Sequence, residues 1–185
     1  MARLAELGER PPVLGLEWAH TLLPLLLVPF ALALYRLLTE KGQRNLALLA
    51  SVSLLLSLAL MLPSNAMNTT LNHQLGRSYV EATTETERTA IFAVFQALGT
   101  WHGGLNKMAS VLYQAFVGLS GLAMVLSRKY RARGWIGVAG SIIALMKLTP
   151  GIPGMTNLLW TGLAYAVWPI AVGIGLLREP RRRSP

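Results

Sequence analysis

Five stretches of this chain are too apolar, and most of them too long, for a water-soluble fold. Residues 14–37, 45–62, 105–127, 134–149 and 155–177 are built almost wholly from aliphatic, aromatic and small residues. About 20 consecutive apolar residues, rising ~1.5 Å each as a helix, cross a ~30 Å hydrocarbon core. Lipid offers the backbone no hydrogen-bond partner, so such stretches span as helices. Only 14% of the 185 residues are charged and 53% are hydrophobic, against about 25% charged in a soluble domain. The expected fold class is therefore all-α: a polytopic membrane helix bundle with five transmembrane helices. Residues 1–177 form one transmembrane domain, and 178–185, REPRRRSP, form a basic cytoplasmic tail.

The spans have individual features. The opening MARLAELGERPPV has no cleavable signal-peptide pattern, so the first span is expected to stay as an anchor. Within it Pro24 and Pro29 remove backbone donors, which predicts a kink, and its polar side chains Glu17, His20 and Thr21 sit near its start. The second span, 45–62, follows the basic turn TEKGQRN and is expected to end at Pro63. Ser51, Ser53 and Ser57 are tolerable there because a hydroxyl bonds the preceding turn or a neighbouring helix. The third span carries Ala109, Ser110, Gly118 and Gly121, which permit close helix contact. The fourth, 134–149, is short; it borrows residues from the RAR turn before it or leaves Lys147 to snorkel. Pro150, Gly151, Pro153 and Gly154 reverse the chain, and the fifth span holds Trp160, Trp168 and Pro169.

Between the second and third spans lies a long polar run, residues 65–107. Thr84 to Glu87 reads T-x-x-E, a capping box, so a helix is predicted to start near Glu85. Ile91, Phe92, Phe95, Leu98 and Trp101 or His102 then recur at helical spacing on one stripe. This is expected to be an outer amphipathic helix, on the membrane surface or capping the bundle. Gly103-Gly104 allows a bend before the third span; one continuous helix through the glycines is the competing geometry.

The formal net charge of +9 suggests nucleic acid in a soluble protein, but no aromatic-basic surface pattern accompanies it. It is better read as topology. With five passes, one set of ends holds Arg36, Lys41, Arg44, Arg128, Lys129, Arg131, Arg133, Arg178, Arg181, Arg182 and Arg183, most of the 17 basic residues. The positive-inside rule then puts the C-terminus in the cytoplasm and the N-terminus and central polar run outside. No nucleic-acid partner is expected.

SNAMNTTLNHQL, YVEATTETERTAIFAVFQAL, the G-x-x-x-K-x-x-x-VLYQAFVGLSGLAMVLSR block, LTPGIPG and the closing VWPI resemble a family of small bacterial multi-pass membrane proteins catalogued as a domain of unknown function. The likeness covers roughly residues 45–177, and ATT-x-x-x-R at Ala82 to Arg88 is its most specific part. It implies a helical integral membrane fold and a bacterial inner-membrane location. It supplies no activity and no catalytic residues, and the first span matches least well.

In this topology Glu17, His20, Asn65, His102, Asn106, Lys107, Lys147 and Asn157 gather near the outer ends of the spans and form the candidate ligand-binding set. Glu17 is expected to pair with Lys107 or Lys147. Polarity at span ends also arises simply because the headgroup zone begins there. The chain has no Cys, which excludes disulfides and thiolate metal ligation. HExxH, GxSxG, Walker A and GxGxxG patterns are absent, so neither a metal nor a cofactor is expected. The leading expectation is a non-enzymatic protein in contact with the lipid bilayer, binding a lipophilic ligand, a membrane partner subunit or further copies of itself. The alternative is a membrane-embedded enzyme or redox subunit working at His20, His102 and Glu17.

Overall fold

The computed structural model describes residues 2–9, 21–128, 130–146 and 167–175, and every element among them is helical. In order these are α1 (Ala2–Glu9), a 3-10 segment (Leu23–Leu26) running into α2 (Leu27–Glu40), α3 (Arg44–Glu81), α4 (Glu85–Leu126), α5 (Arg131–Met146) and α6 (167–175). Among the described residues three helices are long and apolar enough to cross a membrane: Leu23–Glu40, Arg44–Glu81 and Glu85–Leu126. Among the described residues α5 covers 16, just under the ~17 of a short span. It begins at Arg131, within the RAR turn, the first of the two alternatives for the short fourth stretch; Lys147, on which the other rests, lies outside the described residues. Most of the fifth stretch lies outside the described residues.

The disturbance expected at the two prolines takes a specific form. Pro24 sits in the 3-10 segment, and Pro29 falls in the first turn of α2, where a missing N–H costs no helical hydrogen bond.

Two expectations for the central run need correcting. Pro63 does not end the helix of the second span, because α3 continues through it for a full 38 residues. Nor is there a separate outer helix: α4 runs unbroken for 42 residues through Gly103 and Gly104. The capping box begins α4 at Glu85 as predicted, but the helix it begins is the third span itself. At ~1.5 Å per residue the two helices are about 57 and 63 Å long, roughly twice a hydrocarbon core. A proline or a glycine pair costs a helix a few kcal/mol at most, about 3 for Pro and 1 for each Gly. Long side-by-side packing offsets that.

The chain divides into two compact units, Met1–Leu26 with Ser57–Ala109, and Leu27–Leu56 with Ser110–Pro185. In the first unit the α3–α4 pairing is antiparallel with heptad spacing. Ser57 Oγ donates to Ala109 O at 2.7 Å, and Ser64 meets His102. Both pairs are symmetric about Thr83 in the connecting turn, so one register holds between them. α1 packs on α3 where Gly8 meets Gly76; a Cβ on Gly76 would lie 2.7 Å from the Gly8 nitrogen, so only glycine permits this approach.

The second unit has a denser core. Leu34 and Leu38 of α2, Ala47, Ala50 and Leu54 of α3, and Phe116, Val117, Ala123 and Met124 of α4 are buried. Phe30, Phe116 and Trp168 form a closed triangle of edge-to-face rings, with centroids 6.1 to 6.4 Å apart. Trp168 Nε1–H also donates to Arg133 O at 3.1 Å, fastening α6 to α5. The small residues anticipated in the third and fourth stretches make the α4–α5 contact. A Cβ on Gly121 would lie 2.7 Å from Gly134 O, and one on Gly118 would lie 2.8 Å from Ser141 Oγ. Ser51 and Ser53 bond the preceding turn, at Ala47 O and Leu49 O, while Ser57 crosses to the neighbouring helix.

Candidate functional site

The polar centre of the first unit is a short hydrogen-bonded chain between α3 and α4. His102 Nδ1 lies 2.7 Å from Ser64 Oγ and 3.2 Å from Ser64 O, and Asn106 Nδ2 lies 2.8 Å from His102 Nε2. A carbonyl oxygen only accepts, so Nδ1 carries the proton. The Asn106 amide then donates to the Nε2 lone pair, and these contacts agree on one tautomer. Ser64 is fully buried. Each such bond contributes about 0.5–1.5 kcal/mol, and losing a buried partner costs more.

This arrangement constrains chemistry at His102. Haem or metal ligation at His102 Nε2 would require the Asn106 amide, 2.8 Å away, to leave it. Among the described residues no group of three His, Cys, Asp or Glu side chains is placed to hold a metal ion.

Of the eight residues expected to converge, four are described. His102 and Asn106 do come together, one turn apart on α4. Asn65 is half-buried and Lys107 exposed; neither belongs to the Ser64–His102–Asn106 chain. Glu17, His20, Lys147 and Asn157 lie outside the described residues, and with them the pairing expected for Glu17. Ser64 was missed by sequence reasoning. Its signal was its spacing of one heptad from Ser57, which puts both hydroxyls on the side facing α4.

Beside this chain, Ser64, Met67, Asn68, Leu71, Asn72, Leu98, Trp101 and His102 line an open groove that encloses about 10 Å³, room for one water molecule. That is below the ~300–1,000 Å³ of sites enclosing drug-sized ligands or cofactors. Among the described residues no carboxylate, ammonium or guanidinium group is in the lining. Asn72 Nδ2 donates to Asn68 Oδ1 at 2.6 Å, one turn apart.

The turn at the far end of the hairpin explains the segment Ala82 to Arg88. Glu87 Oε2 accepts from the backbone N–H of Thr84 at 3.2 Å and of Thr83 at 3.1 Å, and Thr84 Oγ1 accepts from Glu87 N–H at 3.2 Å. Arg88 Nη2 donates to Ala82 O at 3.3 Å, just past the end of α3. The Thr84 and Thr83 backbone donors, in that order, hold the Glu87 carboxyl below its ordinary value. Ala82, Thr83, Thr84 and Arg88, the residues of ATT-x-x-x-R, thus shape a tight helical hairpin.

No family model, curated protein or solved structure matches the chain.

Proposed function

We propose that this is a non-enzymatic, multi-pass protein of a bacterial inner membrane, whose α3–α4 hairpin carries a binding surface beyond the hydrocarbon core for a lipophilic ligand or a partner subunit. The observation that carries this reading is a change of surface along the two long helices. Large apolar side chains are exposed throughout 22–56 and 108–146, including Leu48, Leu49, Val52, Leu55, Leu56, Met108 and Val111. Across 57–107 those exposed are Val80, Val94 and Trp101. Exposed aliphatic surface on that scale suits lipid, and its loss marks the headgroup boundary. From Arg44 a ~30 Å core ends near Ser64; counted back from Leu126 it ends near Lys107.

In this placement the basic turns Lys41–Gln43 and 127–130 lie in the cytoplasm, and the Thr83 turn lies outside. The contact of Gly8 with Gly76 supports an N-terminus on the same outer side. The apolar stretches 134–149 and 155–177 supply the fourth and fifth passes. The engaged lone pair of His102 and the small groove favour binding over redox or hydrolytic chemistry.

The chain has no cysteine, so single substitutions test the placement directly. In intact cells a membrane-impermeant maleimide is expected to label Thr83→Cys, and to label Gln43→Cys only after permeabilisation. Labelling of both from one side overturns the hairpin's orientation. Purification in a gentle detergent tests the binding role: co-purifying lipid or polypeptide is expected, whereas a Soret band in the purified protein would replace this reading with a redox one.

A further inference from the structure

We propose that the turn between α4 and α5, together with the exposed face of α5, holds an anionic phospholipid. Arg128, Arg131 and Arg133 take its phosphate, and the aliphatic stripe of α5 takes an acyl chain. This goes beyond the hairpin surface above and shares with it only the bilayer placement.

Arg133 is the residue most in need of a partner. Its carbonyl accepts from Trp168 Nε1–H at 3.1 Å, and its guanidinium lies against Gly175, where an added Cβ would overlap it. Backbone and side chain are thus both fixed to α6, and the side chain is half-buried. Among the described residues the guanidinium groups of Arg128, Arg131 and Arg133 have no hydrogen-bond or ion-pair partner. The chain carries no Asp or Glu from 125 to 146. A guanidinium withdrawn from water with its donors unpaired is unfavourable, and a phosphate that accepts from two of them at once relieves it.

Arg128 adds a second sign of selection for charge. It closes α4 at φ 59°, a conformation that glycine adopts freely and a side chain only under strain. A cation stands where glycine would fit better. Three residues separate it from Arg131, at most ~11 Å of chain, within the joint reach of two arginine side chains.

The face of α5 continues the pattern. Arg131, Trp135, Ala139, Ile142 and Met146 recur at spacings of four and three, on one side of the helix, and all are exposed. In sequence they run from a cation through an amphipathic indole to aliphatic groups, the order of a phospholipid from phosphate through glycerol to acyl chain. Trp135 to Met146 spans ~16 Å at ~1.5 Å per residue, about half of a ~30 Å core and so the depth of one leaflet.

Charge complementarity selects the lipid. A phosphocholine headgroup brings an ammonium up to three guanidinium groups, whereas a phosphoglycerol headgroup brings none. A free phosphate would leave the aliphatic stripe unused, so a lipid is the occupant that engages both parts.

The test uses the full chain in nanodiscs with equal mole fractions of phosphatidylglycerol and phosphatidylcholine, retained lipid being read by native mass spectrometry. About tenfold preference for phosphatidylglycerol is expected. Arg131→Gln and Arg133→Gln should each remove most of it. Gly175→Ala should do so as well, although it alters no charge, because it displaces the Arg133 guanidinium. Lys41→Gln takes the same charge from the other basic turn and should leave the preference nearly unchanged. Circular dichroism melts check that each variant folds; if Gly175→Ala does not, the contrast between Arg133→Gln and Lys41→Gln decides. Equal retention of the two lipids overturns the proposal. Equal losses in Arg133→Gln and Lys41→Gln also overturn it, leaving only the general field of a basic surface. Displacement of the lipid by excess inorganic phosphate would overturn it in favour of a free anion. If Thr83→Cys and Gln43→Cys still label from opposite sides, only the lipid assignment falls; if they label from one side, the bilayer placement falls with it.

Discussion

The two long helices, α3 and α4, are packed in two different ways along their length. In the unit that contains residues 27–56 and 110–146, alanines of α3 are buried and α4 meets α5 through glycine, with a ring triangle beside them and aliphatic side chains turned outward. In the unit that contains residues 57–109 hydrogen bonds join α3 to α4, Ser57 to Ala109 O and Ser64 to His102, and from 85 to 108 no residue of α4 is fully buried. Lipid provides no hydrophobic drive to bring helices together, so close van der Waals approach at small residues must do it. Water does provide that drive, and there Ile91, Phe92, Phe95 and Leu98 are the less exposed side of α4, as their spacing predicted. In the proposed placement, two solvents on one pair of helices account for the contrast.

Glycine substitutions should break this contrast most sharply, because their sign should differ between the regions. Gly121→Ala forces a methyl against the Gly134 backbone, and Gly134→Ala forces one against Gly121 O and Val125. Each is expected to destabilise by about 1–3 kcal/mol or to prevent folding, as overpacking at a backbone contact does. Around Gly99 and Gly104 an added Cβ meets open space. Alanine there should stabilise α4 by about 0.5–1 kcal/mol through helix propensity. Thermal melts of the four purified variants measure both signs, and a stabilised Gly121→Ala would show that the small-residue contact is not close.

The polar region is sharpened by removing Ser64. Ser64→Ala takes one acceptor from His102 Nδ1–H and leaves the 3.2 Å contact to Ser64 O, so a loss of about 1 kcal/mol is expected. His102→Leu should cost about 1–3 kcal/mol, because Asn106 Nδ2 then loses its acceptor. Replacing Ser64, His102 and Asn106 together by apolar residues should cost less than the single changes add up to, since no partner is left orphaned. Strict additivity in that cycle would mean the chain is not a unit.

Class, helical content and the start of α4 were legible in the sequence because each rests on local rules: apolar length, lipid's demand for paired backbone, and the Thr84–Glu87 capping box. The course of residues 63–84 was not. Pro63 and the Gly103-Gly104 pair are local stop signals, and what overrides them is contact between α3 and α4 at positions such as Ser57 with Ala109, which composition does not display. The site was legible only in part for the same reason. His102 and Asn106 stand four apart and could be paired by helical spacing, whereas Ser64 reaches them through the register that the Thr83 turn sets.

The turn itself gives a smaller and pH-dependent effect. Thr84→Ala removes an N-cap acceptor and should destabilise by about 1 kcal/mol. The Glu87 carboxyl is held below its unfolded value of about 4.5. Its contribution to stability is therefore present above that value and disappears as pH falls through the lower folded one. Melting midpoints between pH 6 and 8 should not change on this account, should decline below pH 4.5, and should decline less in Glu87→Gln. A variant as acid-sensitive as the parent would shift the acid dependence to other carboxylates.

The smallest expected effect compares the two turns at the opposite ends of these helices. After α2, Gly42 takes a left-handed conformation, φ 76°, while Gly42 N–H bonds Thr39 O at 3.0 Å and Gln43 N–H bonds Leu38 O at 2.9 Å, the pair of bonds that closes a helix at glycine. After α4 the same position falls to Arg128, φ 59°, with its N–H on Val125 O at 3.2 Å. A side chain in that region costs roughly 1 kcal/mol. Arg128→Gly recovers that cost but returns about half of it through the greater freedom of the unfolded glycine. A net gain near 0.5 kcal/mol is expected, against a loss of about 1 kcal/mol for Gly42→Ala. If the Arg128 variant is instead less stable, or if Gln43→Cys then labels from outside, the arginine is retained for its charge on the cytoplasmic side, and the strain is tolerated to keep it there.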